Sequence, residues 1–420
     1  DNKGKFIEKE EDDPDWEEAK RILTELLNIR SELKSYDRSV MWNYWGYIYF
    51  SDEDYDQAMY AYEQLLKEPE ATIPLRTASL LTLAQLNLVK ANWDKGIRLI
   101  LQWMDEVETV TAQSYYLLAS AYFQKEDYVR ARSSMEEAIS LAEEEGYRPR
   151  ENWYVLLAAC FNELKDRKII SAAYSLEQQL GIYEILVNYY PKKLYFLQLG
   201  GTYQQMDREE DYMITLKAAF DKDLLDKEGE YLALAQLLLI SKNPYWAAQV
   251  LVAGQNKKVL IENKETKKEE LVPVLKDTEK NLKLLADSWR MAQEIDMAIP
   301  VLEKAAKMSK EGDTYVLLGN LYLFEDRIKD SIRAIEAGLK KAKVKSRSQA
   351  QLVLGQAHFE LENFDEAKKQ FRAAARDKDK RIKKTANSWI KYAENEEVRV
   401  KNLALRRDFI QQSQAKAKSS

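Results

Sequence analysis

A single histidine, His358, and a single cysteine, Cys160, limit the chemistry open to this chain of 420 residues. A Cys-His pair, a Ser-His-Asp triad or a histidine-based metal site would each need one of them with suitable partners. His358 falls at an aromatic position of a helical pattern, equivalent to Tyr122 and Tyr322, where a structural role is expected. A lone cysteine in a helix reads as a small core residue, and it can form no internal disulfide. No Walker loop, no GxGxxG after a strand and no calcium-loop pattern occurs. Seventy Asp and Glu supply many carboxylate pairs, yet none is singled out as an acid-base pair. The sequence points to a non-enzyme that needs no metal or other cofactor.

The positioning elements are legible in residues 112–145, TAQSYYLLASAYFQKEDYVRARSSMEEAISLAEE. Tyr115, Leu118, Ala119 and Tyr122 share one flank of a helix with 3.6 residues per turn. Ala131, Met135 and Ala138 form a second stripe, and the polar Lys125-Glu126-Asp127 between them suits a turn. Ala119 and Ala131 lie twelve residues apart, where two antiparallel helices must approach closely. The order aromatic, Leu, small, aromatic, then small and two apolar positions resembles the tetratricopeptide repeat.

The same anchors recur at Gly46/Ala58, Ala84/Gly96, Gly200/Tyr212, Ala235/Ala247, Ala286/Ala298, Gly319/Ser331 and Gly355/Ala367, and Ala158 opens one irregular copy. The resemblance covers about residues 39 to 381 and implies an all-α solenoid of helical hairpins, about nine repeats with N- and C-terminal capping helices. A stack of this kind buries a continuous core without splitting into domains, so the length sets no domain count. Hydrophobic residues make up 45% and charged residues 32%, with only 13 Gly and 8 Pro, which suits amphipathic helices rather than disorder. No apolar run is long enough to span a bilayer.

In chain order, residues 1–13 read as a disordered acidic tail and 14–38 as an N-terminal capping helix with Trp16, Ala19, Leu23, Leu26 and Leu27 on one face. Repeats one to six occupy 39–261, with an insertion near 165–181 that either lengthens the second helix of repeat four or forms an inter-helix loop. Residues 262–278 are a charged insertion expected to be a solvated loop. Repeats seven to nine follow at 279–381, a capping helix at 382–410 and a disordered polar tail at 411–420. Residues 1–70 carry 9 Lys/Arg against 19 Asp/Glu, whereas 376–407 carry 11 against 5. A basic end of this kind could favour an acidic partner, anionic lipid or nucleic acid, but a merely solvated outer face is the preferred reading, and no nucleic-acid partner is expected.

In tetratricopeptide stacks the first helices line a concave groove, through positions two, five, nine and twelve of each unit. Carried onto this chain, the resemblance implies a groove containing Asn43, Tyr47 and Phe50; Tyr116, Ser120 and Phe123; Asn162; Gln236; Asn320 and Leu323; and Gln356 and Phe359. Repeat seven presents Lys280, Lys283 and Arg290 instead. Tyr44, Tyr47 and Phe50 read as surplus to helix packing. An aromatic and amide groove suits an extended peptide or a helix. The Lys/Asn set by which some such domains hold a chaperone's terminal carboxylate is broken here by Val316 and Val353, so that function is rejected.

A narrower resemblance runs across 279–400, through KNLKLLADSWRMAQEIDMAIPVLEKAAKMSKEGDTYVLLGNLYL, FDEAKKQF and SWIKYAENEEVR. These segments resemble the periplasmic tetratricopeptide proteins that accompany TonB-ExbB-ExbD energy-transduction systems of marine gamma-proteobacteria. That likeness implies a periplasmic accessory protein, with a TonB, ExbB or ExbD segment as partner in support of outer-membrane transport. The start at Asp1 fits either a trimmed chain or a mature protein whose signal peptide has been removed. Two other classes stand beside it: a cytoplasmic assembly or regulatory scaffold, and a non-catalytic subunit of an envelope enzyme complex.

Overall fold

The helix pairs are joined by a turn that the backbone itself makes. In the computed structural model, which describes residues 16–262, 267–341 and 343–419, α6 (Ala112–Gln124) ends with the N–H of Glu126 donating to the Phe123 carbonyl at 2.9 Å. The N–H of Asp127 donates to the Tyr122 carbonyl at 2.9 Å, and Glu126 takes a φ of 67°. This is a Schellman ending, in which a left-handed residue satisfies two carbonyls of the last turn. Asp127 then caps α7 (Tyr128–Glu144), its carboxylate accepting from the N–H of Arg130 at 3.2 Å. Left-handed residues with φ between 56° and 67° recur at Glu53, Ala91, Lys168, Asp207, Lys242, Gln293, Asp326 and Glu362. The described residues therefore contain eight such hairpins within compact units, and Asp207 takes the same backbone conformation where one unit ends and the next begins.

The chain divides into two compact units between Met206 and Asp207. In the first, α1 (Trp16–Asn28) packs on α2 (Ser35–Ser51), which pairs with α3 (Tyr55–Leu66). Then come α4 (Ile73–Val89) with α5 (Trp93–Glu106), α6 with α7, and α8 (Glu151–Asp166) with α9 (Ala172–Tyr189), and α10 (Lys193–Gln205) closes the unit. Trp16, Ala19, Leu26 and Leu27 of α1 pack around Leu23, Met41, Trp42 and Trp45, so the capping stripe is used as expected. The residues ahead of Trp16, including the acidic tail and the start of the capping helix, lie outside the described residues. A bidentate ion pair ties α2 to the end of α3, with Arg38 Nε and Nη2 donating to Glu68 at 2.8 and 2.7 Å. The Arg38 guanidinium holds the Glu68 carboxyl below its ordinary value. Arg76 and Glu106 repeat the arrangement at 3.1 Å in the next hairpin.

The extra residues of repeat four lengthen both of its helices. α8 has 16 residues and α9 has 18, against 13 in α10, and only residues 167–171 connect them. Ser171 caps α9 and Ser175 donates to the Phe161 carbonyl at 3.1 Å, so the added turns are packed rather than looped out.

The second unit contains α11 (Glu209–Asp221), α12 (Glu228–Ile240) with α13 (Pro244–Asn256), α14 (Glu279–Met291) with α15 (Ile295–Met308), α16 (Asp313–Phe324) with α17 (Ile328–Leu339), and α18 (Arg347–Glu360) with α19 (Phe364–Ala374). α20 (Lys380–Ser419) lies against α19. Two expectations are corrected here. The charged insertion is not simply a solvated loop: its β2 (Glu269–Pro273) pairs antiparallel with β1 (Lys258–Glu262), which takes up the expected end of repeat six, because Val259-Leu260-Ile261 and Leu271-Val272 are short strand-forming runs hidden among charges. Residues 263–266 lie outside the described residues. The C-terminal helix does not stop at 410 but continues to Ser419, since Gln, Ala and Lys, with no Gly or Pro, are good helix formers.

Small residues set how closely the paired helices approach. A Cβ added to Gly319 would lie 2.3 Å from Ile335 Cγ1 and 3.2 Å from the carbonyl oxygen of Ser331, its counterpart twelve residues on. A Cβ on Gly355 would meet the Phe371 ring at 2.5 Å. We expect Gly319→Leu to cost about 1–3 kcal/mol or more through overpacking, whereas Glu325→Ala, at the end of α16, should change stability little. Equal shifts in Tm for the two variants would refute this helix register.

His358 is buried in α18, and neither ring nitrogen has a hydrogen-bond partner among the described residues. Burial pushes its pKa below the ordinary value, against a smaller opposing pull from Glu366 and Glu336. Below about pH 6.5 the unfolded chain takes up a proton that the native state resists, so stability falls with pH from that point until the native pKa is reached. We expect Tm to fall more steeply between pH 7.5 and 5.5 for the natural chain than for His358→Phe. Parallel curves would show that His358 is not a buried neutral imidazole.

Candidate functional site

In the first unit, neighbouring first helices bring one cluster of the expected groove residues together. Tyr116 of α6 stacks on Trp153 of α8, with ring centroids 5.7 Å apart and planes 17° from parallel. Asn152 Nδ2 donates to the Tyr116 hydroxyl at 2.8 Å. Ser120 and Phe123 continue along α6, one and two turns on, and Phe123 meets Tyr128 edge-on at 5.1 Å. With Gln124, Asn152, Val155, Leu156 and Ala159 they line an open cleft of about 430 Å³. Apolar walls with a few amide and hydroxyl groups are the composition expected of a site for a peptide segment.

Asn152, Val155 and Ala159 were not among the expected site residues. The signal was available, because positions two, five and nine counted from Glu151 fall on these three. Asn162, at position twelve, is engaged instead in holding the hairpin together: its Oδ1 accepts from Gln179 Nε2 at 3.1 Å and from Lys165 Nζ at 3.3 Å. In α2, Asn43 is half-buried, two of the three supposedly surplus rings meet other rings, and Tyr44 is 55% exposed. Tyr47 lies 5.7 Å from Trp16 of the capping helix and Phe50 lies 6.0 Å from Tyr55, although they remain 53% and 44% exposed.

The expected residues of the second unit are less united. Lys283 pairs with Glu279 at 2.9 Å and Arg290 with Asp287 at 3.2 Å, each within α14, while Lys280 is exposed. Asn320 turns back to donate to its own helix at the Val316 carbonyl, 3.1 Å away. Leu323 packs against the α16–α18 core, and Gln356 is half-buried on α18; Gln236 of α12 is exposed. Phe359 is not a groove residue. It sits between Phe364, Trp389 and Tyr392, at 5.6, 5.5 and 5.2 Å, because α20 covers the last repeat.

Other features decide what chemistry the molecule can offer. Cys160 is fully buried, which pushes its thiol up to about 12, so it is not a thiolate nucleophile at neutral pH. A cleft of about 270 Å³ lies among α15, α16 and α17, lined by Glu303, Lys307, Tyr315 and Tyr322. Tyr322 donates to Glu303, and burial with that carboxylate raises the phenol to about 12, far from the range of a general base near pH 7. Among the described residues, no group of three or more His, Cys, Asp and Glu is placed to hold a metal ion. None of the described helices is long and apolar enough to cross a membrane.

Comparisons with known proteins bear on the repeats. Residues 112–145 and 316–381 each match a family model described as tetratricopeptide repeat. No curated protein matches the sequence. Among solved structures, the chain is similar to the MamA protein at 19% identity, covering 44% of this chain and 92% of that one with a TM-score of 0.35. It is similar to YrrB, titled a TPR protein with an unusual peptide-binding site, at 14% identity, 47% and 91% coverage and a TM-score of 0.34. It is also similar to the TPR2AB domain of yeast Sti1 in a pHSP90 complex, at 12% identity, 68% and 97% coverage and a TM-score of 0.32. Tetratricopeptide repeats are thus present in both units of the chain, and the cleft between α6 and α8 begins in one of them.

Proposed function

We propose that this chain is a non-catalytic scaffold that holds an extended or helical protein segment in the groove between α6 and α8. The observation that carries the reading is the Tyr116–Trp153 stack with Asn152 beside it. Tyr116, held by the buried Trp153 behind it, offers the cleft a rigid aromatic wall, low in conformational entropy, next to amides that bond to backbone groups. The groove carries few charges, so contact area and hydrogen bonds rather than ion pairing supply the affinity. We propose further that the bound segment is periplasmic and belongs to a TonB-ExbB-ExbD system. The support for that partner is the resemblance of residues 279–400 to the tetratricopeptide proteins that accompany such systems.

The test is titration of the purified protein against the isolated periplasmic segments of TonB, ExbD and ExbB. At least one segment is expected to bind at micromolar concentration. Tyr116→Ala with Phe123→Ala should weaken that binding more than tenfold, the loss of about 2 kcal/mol common at an aromatic anchor, with helical content unchanged by circular dichroism. Tyr116→Phe keeps the stacked ring but frees Asn152, and should lose less. Absence of binding by all three segments overturns the TonB-system assignment. Binding that ignores the double variant overturns the groove.

A further inference from the structure

The hairpin of β1 and β2 is a sheet of two strands, so each strand has an outer edge that pairs with nothing in the sheet. Such an edge is a template for another strand, and a two-stranded sheet is marginal by itself in water. Leu260 and Leu271 face each other across the pair and are 63% and 64% exposed, and Ile261 is 42% exposed. We propose that the β1 edge binds the β1 edge of a second copy of this chain, forming a four-stranded antiparallel sheet in the order β2-β1-β1-β2 about a twofold axis.

Backbone phase comes first. The N–H of Val274 donates to the Lys257 carbonyl at 2.8 Å, one pair beyond Lys258↔Pro273 in the same register. In an antiparallel ladder hydrogen-bonded pairs alternate. Val259↔Val272 and Ile261↔Glu270 are therefore bonded inward, and Lys258, Leu260 and Glu262 turn their N–H and C=O groups outward. An axis through Leu260 sets Leu260 opposite its own copy and Lys258 opposite Glu262 at both ends, so every outward group meets an outward partner.

Side chains select that register and that edge. KVLIE run antiparallel to itself about Leu260 places each Lys against a Glu, Val259 against Ile261, and a row of four leucines across one face. Displacing the axis to Val259 or Ile261 shortens the ladder and puts a charge opposite a leucine. The other edge is unsuited: EELVP run against itself places Glu269 opposite Pro273, which has no N–H to give. Glu262 already has Lys267 at 3.7 Å, but both side chains are more than half exposed, which leaves the carboxylate able to meet a second lysine.

The full chain in sedimentation equilibrium should show a monomer-dimer exchange. Lys258→Glu puts carboxylates opposite each other twice, and Glu262→Lys does the same with ammonium groups, so each should raise the dimer Kd by at least about tenfold. The double variant Lys258→Glu with Glu262→Lys should restore it. Leu260→Cys should crosslink to its copy on oxidation, because the paired Cα atoms lie ~5.5 Å apart, within disulfide reach. Leu271→Cys, about three strand spacings from its copy, should not, and the buried Cys160 should contribute nothing. A chain that stays monomeric to ~100 µM overturns the proposal, as does a dimer that neither the charge swaps nor the Leu260→Cys crosslink affects.

Discussion

Every helix pair depends on one residue holding a positive φ in the turn between its helices. Left-handed backbone costs a residue other than glycine about 1–2 kcal/mol, yet the eight turn positions within the units carry Glu, Ala, Lys, Asp and Gln and never Gly. The offset lies in what the turn completes. It satisfies carbonyls that the first helix would otherwise leave open, and in every pair except α8 and α9 the next residue is at once the N-cap of the second helix. A three-residue turn, the same in every pair except α8 and α9, fixes the rotational phase of the two helices. That is why Gly319 meets Ser331, and why the flank of each first helix that bears Tyr116 or Val155 is turned away from its partner toward the groove.

Much of this arrangement was legible because it follows a helical period. Small residues twelve apart identified the hairpins, and the same counting located Tyr116, Ser120 and Phe123 on one wall of a cleft. It would have located Asn152, Val155 and Ala159 on the other wall had it been applied to all of repeat four. The turns were legible only as polar interruptions, since without glycine they carry no composition that marks positive φ. The β-hairpin was not legible because its apolar runs are shorter than the charged sequence around them, so average charge outweighed local strand preference. The end of α20 was misread for a related reason. QQSQAKAKS is equally polar whether it is coil or exposed helix, and only the absence of Gly and Pro favours the second.

Phe359 was misplaced because the residue type at a groove position does not reveal whether another repeat or a cap comes next. The final hairpin of a stack has an apolar flank with no following repeat to cover it, and α20 provides the cover. Phe359, Phe371, Trp389 and Tyr392 form the seal, each ring within 6 Å of at least one other, and Trp389 lies flat on Phe371. Lys368 of α19 reaches Glu397 of α20 at 2.7 Å, and with Lys401 it holds that carboxyl down to about 2. The aromatic that would have served a ligand serves the end of the unit instead. A terminal repeat cannot give the same ring to both purposes, so in the second unit the cap removes the aromatic anchor. Tyr116, which stacks on the buried Trp153 within its unit and not at an end, is left half-buried on the cleft wall.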